Sequence, residues 1–172
     1  MNELFNVKDK VVVITGGAGI LGKGIAAYLA KEGAKVVVNY FDNPEDAAET
    51  LKLIQAAGSE GIIVQGDMTK ATDVKNLFDK AIEAFGNHID ALVNVVGGIV
   101  GRKLVTEQDE TWYDFLMDVN MRSVFLCTRE AVPYMSAGST IVNFSSLAAR
   151  DGGGPGASMY ATAKGAVMTY TR

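Results

Sequence analysis

The chain has 172 residues, 48% hydrophobic and 21% charged, with a net charge of −4; that suffices for one domain with a real core and lacks the basic face that nucleic-acid binding needs. A single cysteine, Cys127, excludes an internal disulfide and a Cys-based zinc site, and a single histidine, His88, excludes a metal site built on several imidazoles. No apolar run approaches the ~18 residues that span a membrane, and the opening MNELFNVKDK has no signal-peptide stretch, so no membrane partner and a cytoplasmic location are the default expectations.

In chain order, β-branched runs alternate with helical patterns. Residues 10–15 (KVVVIT) predict a strand buried on both faces. Leu21, Ile25 and Leu29, at i, i+4 and i+8, predict a helix stopped by Gly33. Residues 35–40 read as a second strand, and Ala47, Leu51 and Ile54 as a helix stopped by Gly58. Residues 61–65 follow as a third strand. Val74, Leu77, Phe78, Ala81, Ile82 and Phe85 then form a full amphipathic stripe that ends at Gly86. Residues 89–96 are a fourth strand, and a helix begins with Trp112, Phe115, Leu116 and Val119 and runs to about Met135. Residues 140–144 make the fifth strand and read, like the others, as buried. Strands alternating with helices imply βαβ units with right-handed crossovers. The expected fold is α/β: one domain over 1–172, a Rossmann-type doubly wound parallel sheet with helices on both faces.

Between the first strand and first helix stands TGGAGILGKG, residues 15–24. A pyrophosphate binds there by approaching backbone N–H groups at a positive helix N-terminus, and side chains would block the approach. Gly22 lets the helix pack tightly on the strand. The segment resembles the fingerprint of the short-chain dehydrogenase/reductase family, TGxxxGxG. Ile20 sits where the second glycine of that pattern is expected, and the spacing fits TGxxGxxG through Gly16, Gly19 and Gly22, as in the family's extended branch. The resemblance implies that Gly16, Gly19, Ile20, Leu21 and Gly22 border the dinucleotide.

The same resemblance bears on the adenosine half of NAD or NADP. The family's usual aspartate after the second strand is Tyr40 here, and Phe41 replaces a basic residue common in NADP-preferring members. Asp42 either accepts from the ribose or starts a turn before Asn43-Pro44. Coenzyme preference stays open. Asp67, in GDMT, either contacts adenine with Met68 beside it or serves as an N-cap or turn aspartate before a helix near Ala71. Asn94-Val95-Val96-Gly97 is similar to the family's NNAG segment, which implies backbone at Gly97 lying beside the adenosine ribose.

Tyr160 and Lys164 are four residues apart, so a helix puts both on one face. A free phenol has a pKa of ~10; a nearby ammonium stabilises the phenolate and draws it toward the range of a working acid/base. Ser145-Ser146 ends the fifth strand, 14 residues separating Ser146 from Tyr160. The family's catalytic serine stands here one residue nearer the tyrosine; the loop Gly152-Gly153-Gly154 accounts for the extra residue. The resemblance makes Ser146 the donor to the substrate oxygen, with Ser145 as the fallback. Asn120 matches the family's helix asparagine, which anchors a water linked to the lysine; a solvent-facing or interhelical role is the alternative. Lys164 also holds the nicotinamide ribose by resemblance. His88 reads as a loop residue, and Cys127 and Trp112 as helix packing.

The implied activity is hydride transfer between NAD(P)(H) and a secondary alcohol or ketone, with Tyr160 as general acid/base and no metal. Two alternatives are kept: a non-catalytic NAD(P)-binding module, and an epimerase or dehydratase using the same Tyr/Lys pair. Family members are commonly homo-oligomers, which implies a dimer or tetramer with the helices around Asn120 and Lys164 in the interface. The chain stops eight residues after Lys164, so the C-terminal strands and substrate loop of the family fold are expected to be missing. The 172 residues alone are expected to bind coenzyme weakly and turn over slowly.

Overall fold

The computed structural model describes residues 6–172. Five parallel strands form one sheet in the order β3-β2-β1-β4-β5: β1 Val11–Thr15, β2 Lys35–Tyr40, β3 Gly61–Gln65, β4 Ala91–Asn94 and β5 Thr140–Asn143. Successive side chains of a strand point to opposite faces, and the two faces carry separate cores. Val13, Val37 and Leu92 pack with Leu77, Phe78 and Cys127 on one side. Val12, Ile14, Val36 and Val38 pack with Ala26, Ala30 and Ile54 on the other. Helices α1 (Ile20–Lys31), α2 (Pro44–Ala56) and α3 (Ala71–Phe85) supply those partners except Cys127, which comes from a later helix. Each ends where expected: Gly33, Gly58 and Gly86 have φ of +89°, +79° and +93°, a region that glycine enters without steric penalty.

The helix expected from Trp112 starts two residues earlier, at Glu110, because Asp109 caps it by accepting from Trp112 N at 2.8 Å. It also changes pitch. α4 (Glu110–Met117) passes into a π turn over Asp118–Arg122, then α5 (Ser123–Ala131) and a 3₁₀ turn over Val132–Tyr134. α6 (Ala148–Asp151) and α7 (Ser158–Tyr170) follow β5.

One expectation about burial is corrected. β1 and most of β2 are buried, but the two edge strands are not: only Val64 of β3 is buried, and β5 pairs only with β4 among the described residues, with Val142 43% exposed. A strand at a sheet edge lacks a neighbour to cover it, whatever its composition.

Strand order reverses between β1 and β4, since β2 and β3 lie to one side of β1 and β4 and β5 to the other. The carboxyl ends of β1 and β4 therefore flank the crevice where open α/β sheets bind ligands. Thr15 joins them, its hydroxyl oxygen accepting from Val95 N at 3.2 Å and Val96 N at 3.3 Å.

Candidate active site

The crevice holds a cleft of about 500 Å³. It brings together Gly16, Gly19, Ile20, Leu21, Gly22, Tyr40, Asp42 and Gly97, eight of the residues singled out in sequence. Its floor is the turn between β1 and α1. Gly22 is required there for a reason slightly different from the one expected: a Cβ on it would lie 2.3 Å from Gly16 O and 2.6 Å from Gly17 Cα, so α1 packs on the backbone of the turn rather than on the strand. Ile20 stands 94% exposed beside the cleft, so its position tolerates a side chain where the family pattern has glycine.

The start of α1 suits an anion. Its N-cap, Gly19, makes no side-chain cap bond, and the first turn has no acidic residue. α2 differs: Asn43 caps it by accepting from Asp46 N at 3.1 Å, with Glu45 and Asp46 in the first turn. The free N–H groups of α1 thus remain available to phosphate. The capping role at α2 belongs to Asn43, which leaves the Asp42 carboxylate on the cleft wall.

A second cavity of about 360 Å³ adjoins the first through Gly16, Phe41 and Val96, and Asp67, Met68 and Val119 line it. Asp67 is no N-cap: Lys70 holds that position before α3. It closes a tight turn instead, Oδ1 accepting from Thr69 N at 2.9 Å and Thr69 Oγ1 at 2.7 Å. The flat face of a base suits the pocket lined by Met68 and Val119, next to the Asp67 carboxylate, which can accept from an amino group.

Asn39 was missed in the sequence. It is 1% exposed and ties three segments together. Its Oδ1 accepts from Gly16 N at 3.1 Å, while Nδ2 donates to Gly66 O at 3.0 Å, Tyr40 O at 3.2 Å and Val64 O at 3.4 Å. The signal was present as one polar residue inside the β-branched run KVVVNY.

Asn120, Lys164 and Gly97 converge at the mouth of the sheet. A Cβ at Gly97 would lie 2.7 Å from Asn120 Oδ1 and 2.9 Å from Lys164 Nζ. Asn120 is fully buried, which rules out a solvent-facing role. Its Oδ1 accepts from Gly98 N at 2.9 Å, and Nδ2 donates to Gly98 O and Leu116 O, both at 3.0 Å. A π turn breaks the regular helical ladder, and the Asn120 amide gives Leu116 O a side-chain donor within it. Lys164 is 3% exposed, and Nζ donates to Phe144 O at 2.7 Å. Burial pushes its pKa below the usual lysine range.

The two serines separate by partner. Ser145 Oγ donates to Lys164 O at 2.8 Å, fastening α7 to the end of β5. Ser146 Oγ accepts from Ala148 N at 3.1 Å, leaving its own hydrogen free to donate. Tyr160 is half-buried on α7, one turn from Lys164. Ser146 and Tyr160 do not bond each other among the described residues. Asn94, 2% exposed, is not among the residues that line the cleft and donates to Asn143 Oδ1 at 2.8 Å. His88 lies exposed, 3.3 Å from Asp90, and Cys127 is fully buried, as expected. No cluster of His, Cys, Asp and Glu suited to a metal occurs among the described residues, and no helix there is long and apolar enough to cross a membrane.

A glycine turn on a switch-point crevice, beside a buried lysine and asparagine, defines a dinucleotide-binding oxidoreductase fold. The short chain dehydrogenase family model matches residues 10–172, and the chain belongs to the short-chain dehydrogenase/reductase family of NAD(P)-dependent oxidoreductases. Among similar proteins is the hydroxynaphthalene reductase-like protein Arp2 of Metarhizium majus (strain ARSEF 297), 39% identical over 169 residues, covering 97% of this chain and 62% of that one. Short chain dehydrogenase claC of Passalora fulva is 34% identical over 163 residues, with coverage of 95% and 60%. The NADH-dependent reductase A1-R′ responsible for alginate metabolism, solved also in complex with NAD, superposes with a TM-score of 0.90 at 35% identity, covering 95% of this chain and 69% of that one. A short-chain dehydrogenase/reductase from Serratia marcescens BCRC 10948 gives a TM-score of 0.92 at 29% identity, with coverage of 97% and 67%. The chain spans 62% of the length of the Metarhizium protein.

Proposed function

We propose that these residues form the coenzyme-binding and catalytic part of an oxidoreductase that moves hydride between NAD(P)(H) and a secondary alcohol or ketone. The observation that carries the reading is the meeting of Asn120 and Lys164 at Gly97, at the edge of the dinucleotide cleft. The residues fit the coenzyme: uncapped N–H groups on α1 for pyrophosphate, Asp42 and Tyr40 for the adenosine ribose, the Asp67–Met68 pocket for adenine, and Gly97 for close backbone approach. When bound, the coenzyme supplies or accepts the hydride.

The protein's own groups do the rest. Tyr160 gives a proton to the carbonyl oxygen in reduction and takes it back in oxidation. The Lys164 ammonium stabilises negative charge on that phenol and reaches the nicotinamide ribose. Phe144 O fixes the ammonium, and Ser145 fixes the helix that carries it. Ser146 donates its free hydrogen to the substrate oxygen, where charge develops. Asn120 holds the Gly97–Gly98 backbone beside the lysine. The substrate is a small-molecule carbonyl or alcohol, in a cytoplasmic setting. A homo-oligomer joined through α5 and α7 suits Phe125 and Tyr170, each 41% exposed and in edge contact.

Reduction of a ketone panel with NADH or NADPH tests the reading, alongside Tyr160→Phe. The variant should bind coenzyme as the unaltered chain does and lose turnover. Turnover unaffected by the change would overturn the role of Tyr160, and coenzyme binding without turnover in either protein would favour a non-catalytic module.

A further inference from the structure

The segment after β4 and the glycine loop between Ser146 and Tyr160 are far apart in sequence and fastened together in space. Arg102, solvent-exposed, donates from Nη1 to Gly153 O at 3.0 Å and to Pro155 O at 2.8 Å. Beside it Lys103 N donates to Gly156 O at 3.2 Å. Gln108 Nε2 donates to Lys103 O at 2.8 Å and to Ser158 Oγ at 3.1 Å, at the first residue of α7.

The loop needs such an external hold. Gly153, Gly154 and Gly156 have φ of +68°, +78° and +75°. A glycine run has many alternative conformations of nearly equal energy, so ordering it is entropically expensive. Gly156 packs directly on the fastener: a Cβ there would lie 2.9 Å from Arg102 Cβ and 3.1 Å from Lys103 N. The opposing segment is set against its own preference. Val100, β-branched, has a φ of +43°, a strained conformation that persists only where the surroundings enforce it. The Lys103 ammonium, 4.7 Å over the Trp112 ring, anchors that segment to α4.

We propose that Arg102 is a positioning residue: by binding the Gly153 and Pro155 carbonyls, its guanidinium sets the placement of Ser146 relative to Tyr160 across the glycine loop. This rests on the reading of that pair as catalytic. Arginine suits the task because the two N–H bonds of Nη1 are fixed in the guanidinium plane and aim at the two carbonyls at a set angle, which a rotating ammonium does less well. Arg102 touches neither the dinucleotide cleft nor its neighbouring adenine pocket, so coenzyme affinity is a control.

The test compares the unaltered chain with Arg102→Ala and Arg102→Lys by three measurements: amide hydrogen exchange over 146–160, NADH affinity by fluorescence, and kcat. Arg102→Ala should speed exchange over 146–160 but not over 11–31, keep the NADH Kd within about twofold, and lower kcat by ~10- to 100-fold, the scale of a small misplacement of reacting groups. Arg102→Lys should fall between the two in both exchange and kcat. Unchanged exchange in Arg102→Ala overturns the clamp. Faster exchange with unchanged kcat overturns the positioning role. An unaltered chain with no turnover, or one indifferent to Tyr160→Phe, overturns the catalytic reading and the positioning role with it, while the exchange data still separate that failure from failure of the clamp.

Discussion

The Lys164 ammonium, 3% exposed, donates to the Phe144 carbonyl at 2.7 Å, so a buried cation on α7 is pinned to the end of β5. Lys164→Met keeps most of the volume and removes the charge. It should lower kcat by at least ~10²-fold, the usual weight of an acid/base group. Stability carries a separate signature. Burial holds the folded-state pKa below the unfolded one, so between those two values the unfolded chain binds the extra proton and stability rises with pH. Denaturant titrations from pH 8 to 10.5 should show the unfolding free energy of the unaltered chain gaining on that of Lys164→Met. A difference that stays flat across that range would mean Lys164 titrates as it does when unfolded.

Two glycines in one helix should respond oppositely to the same change. A Cβ at Gly22 meets the Gly16 carbonyl and Gly17 Cα, both backbone, whereas one at Gly24 meets nothing within 4 Å. Gly22→Ala should abolish measurable NADH binding and lower the thermal midpoint. Gly24→Ala should raise stability by about 0.5–1 kcal/mol, the helix preference of alanine over glycine. Differential scanning calorimetry of both variants checks the pair; matching shifts would mean that close packing of α1 on the turn is not what Gly22 provides.

Much of this was legible because the physics is local. Parallel strands favour β-branched runs, and the bounds of residues 35–40 and 61–65 were readable to the residue. A left-handed helix stop needs glycine, hence Gly33, Gly58 and Gly86. β5 misled because TIVNF has the composition of a buried strand, and composition does not report what lies beside it. The π turn at Asp118–Arg122 leaves the apolar period almost unchanged, so the pattern around Val119 read as plain helix. Asn39 and Arg102 act on backbone groups 23 to 53 residues away, and no local spacing encodes such partners. At the site, the residues meeting at Gly97 were nameable from motif, and so was the preference for Ser146 over Ser145, but the backbone groups that the two serines reach were not.

Asn39 offers the clearest stability prediction. Asn39→Ala leaves Gly16 N and Gly66 O without their side-chain partner, and unpaired buried groups cost ~1–3 kcal/mol each. Urea denaturation should show a loss of about 2–4 kcal/mol, with weaker NADH binding as the turn loosens. A loss below about 1 kcal/mol would show that water replaces the amide in the variant.

Cys127 is fully buried, and burial pushes its thiol up to about 12. The thiolate is the reactive species, so the native chain should resist iodoacetamide at pH 8 and react once unfolded in urea. Rapid labelling under native conditions would point to frequent opening of the core between α3 and α5.

Charge in the dinucleotide cleft predicts the coenzyme. Among the described residues that line it, none is Lys or Arg, and Asp42 and Asp46 both face it. The neighbouring Lys23 is engaged by Asp46 at 3.0 Å and by Glu49, and those hydrogen bonds raise its pKa. A ribose 2′-phosphate would meet two carboxylates with no free cation to balance it, and like-charge contact of that kind costs several kcal/mol. NADH should therefore bind at least ~10-fold more tightly than NADPH, about 1.4 kcal/mol. Asp42→Ala should narrow the gap, and Asp42→Arg should reverse it by offering the phosphate a fork of donors. Fluorescence titration of both coenzymes with each variant measures this. If NADPH binds the unaltered chain as tightly as NADH does, the 2′-phosphate must point out of the cleft, away from Asp42, and the placement of the adenosine ribose against Tyr40 fails with it.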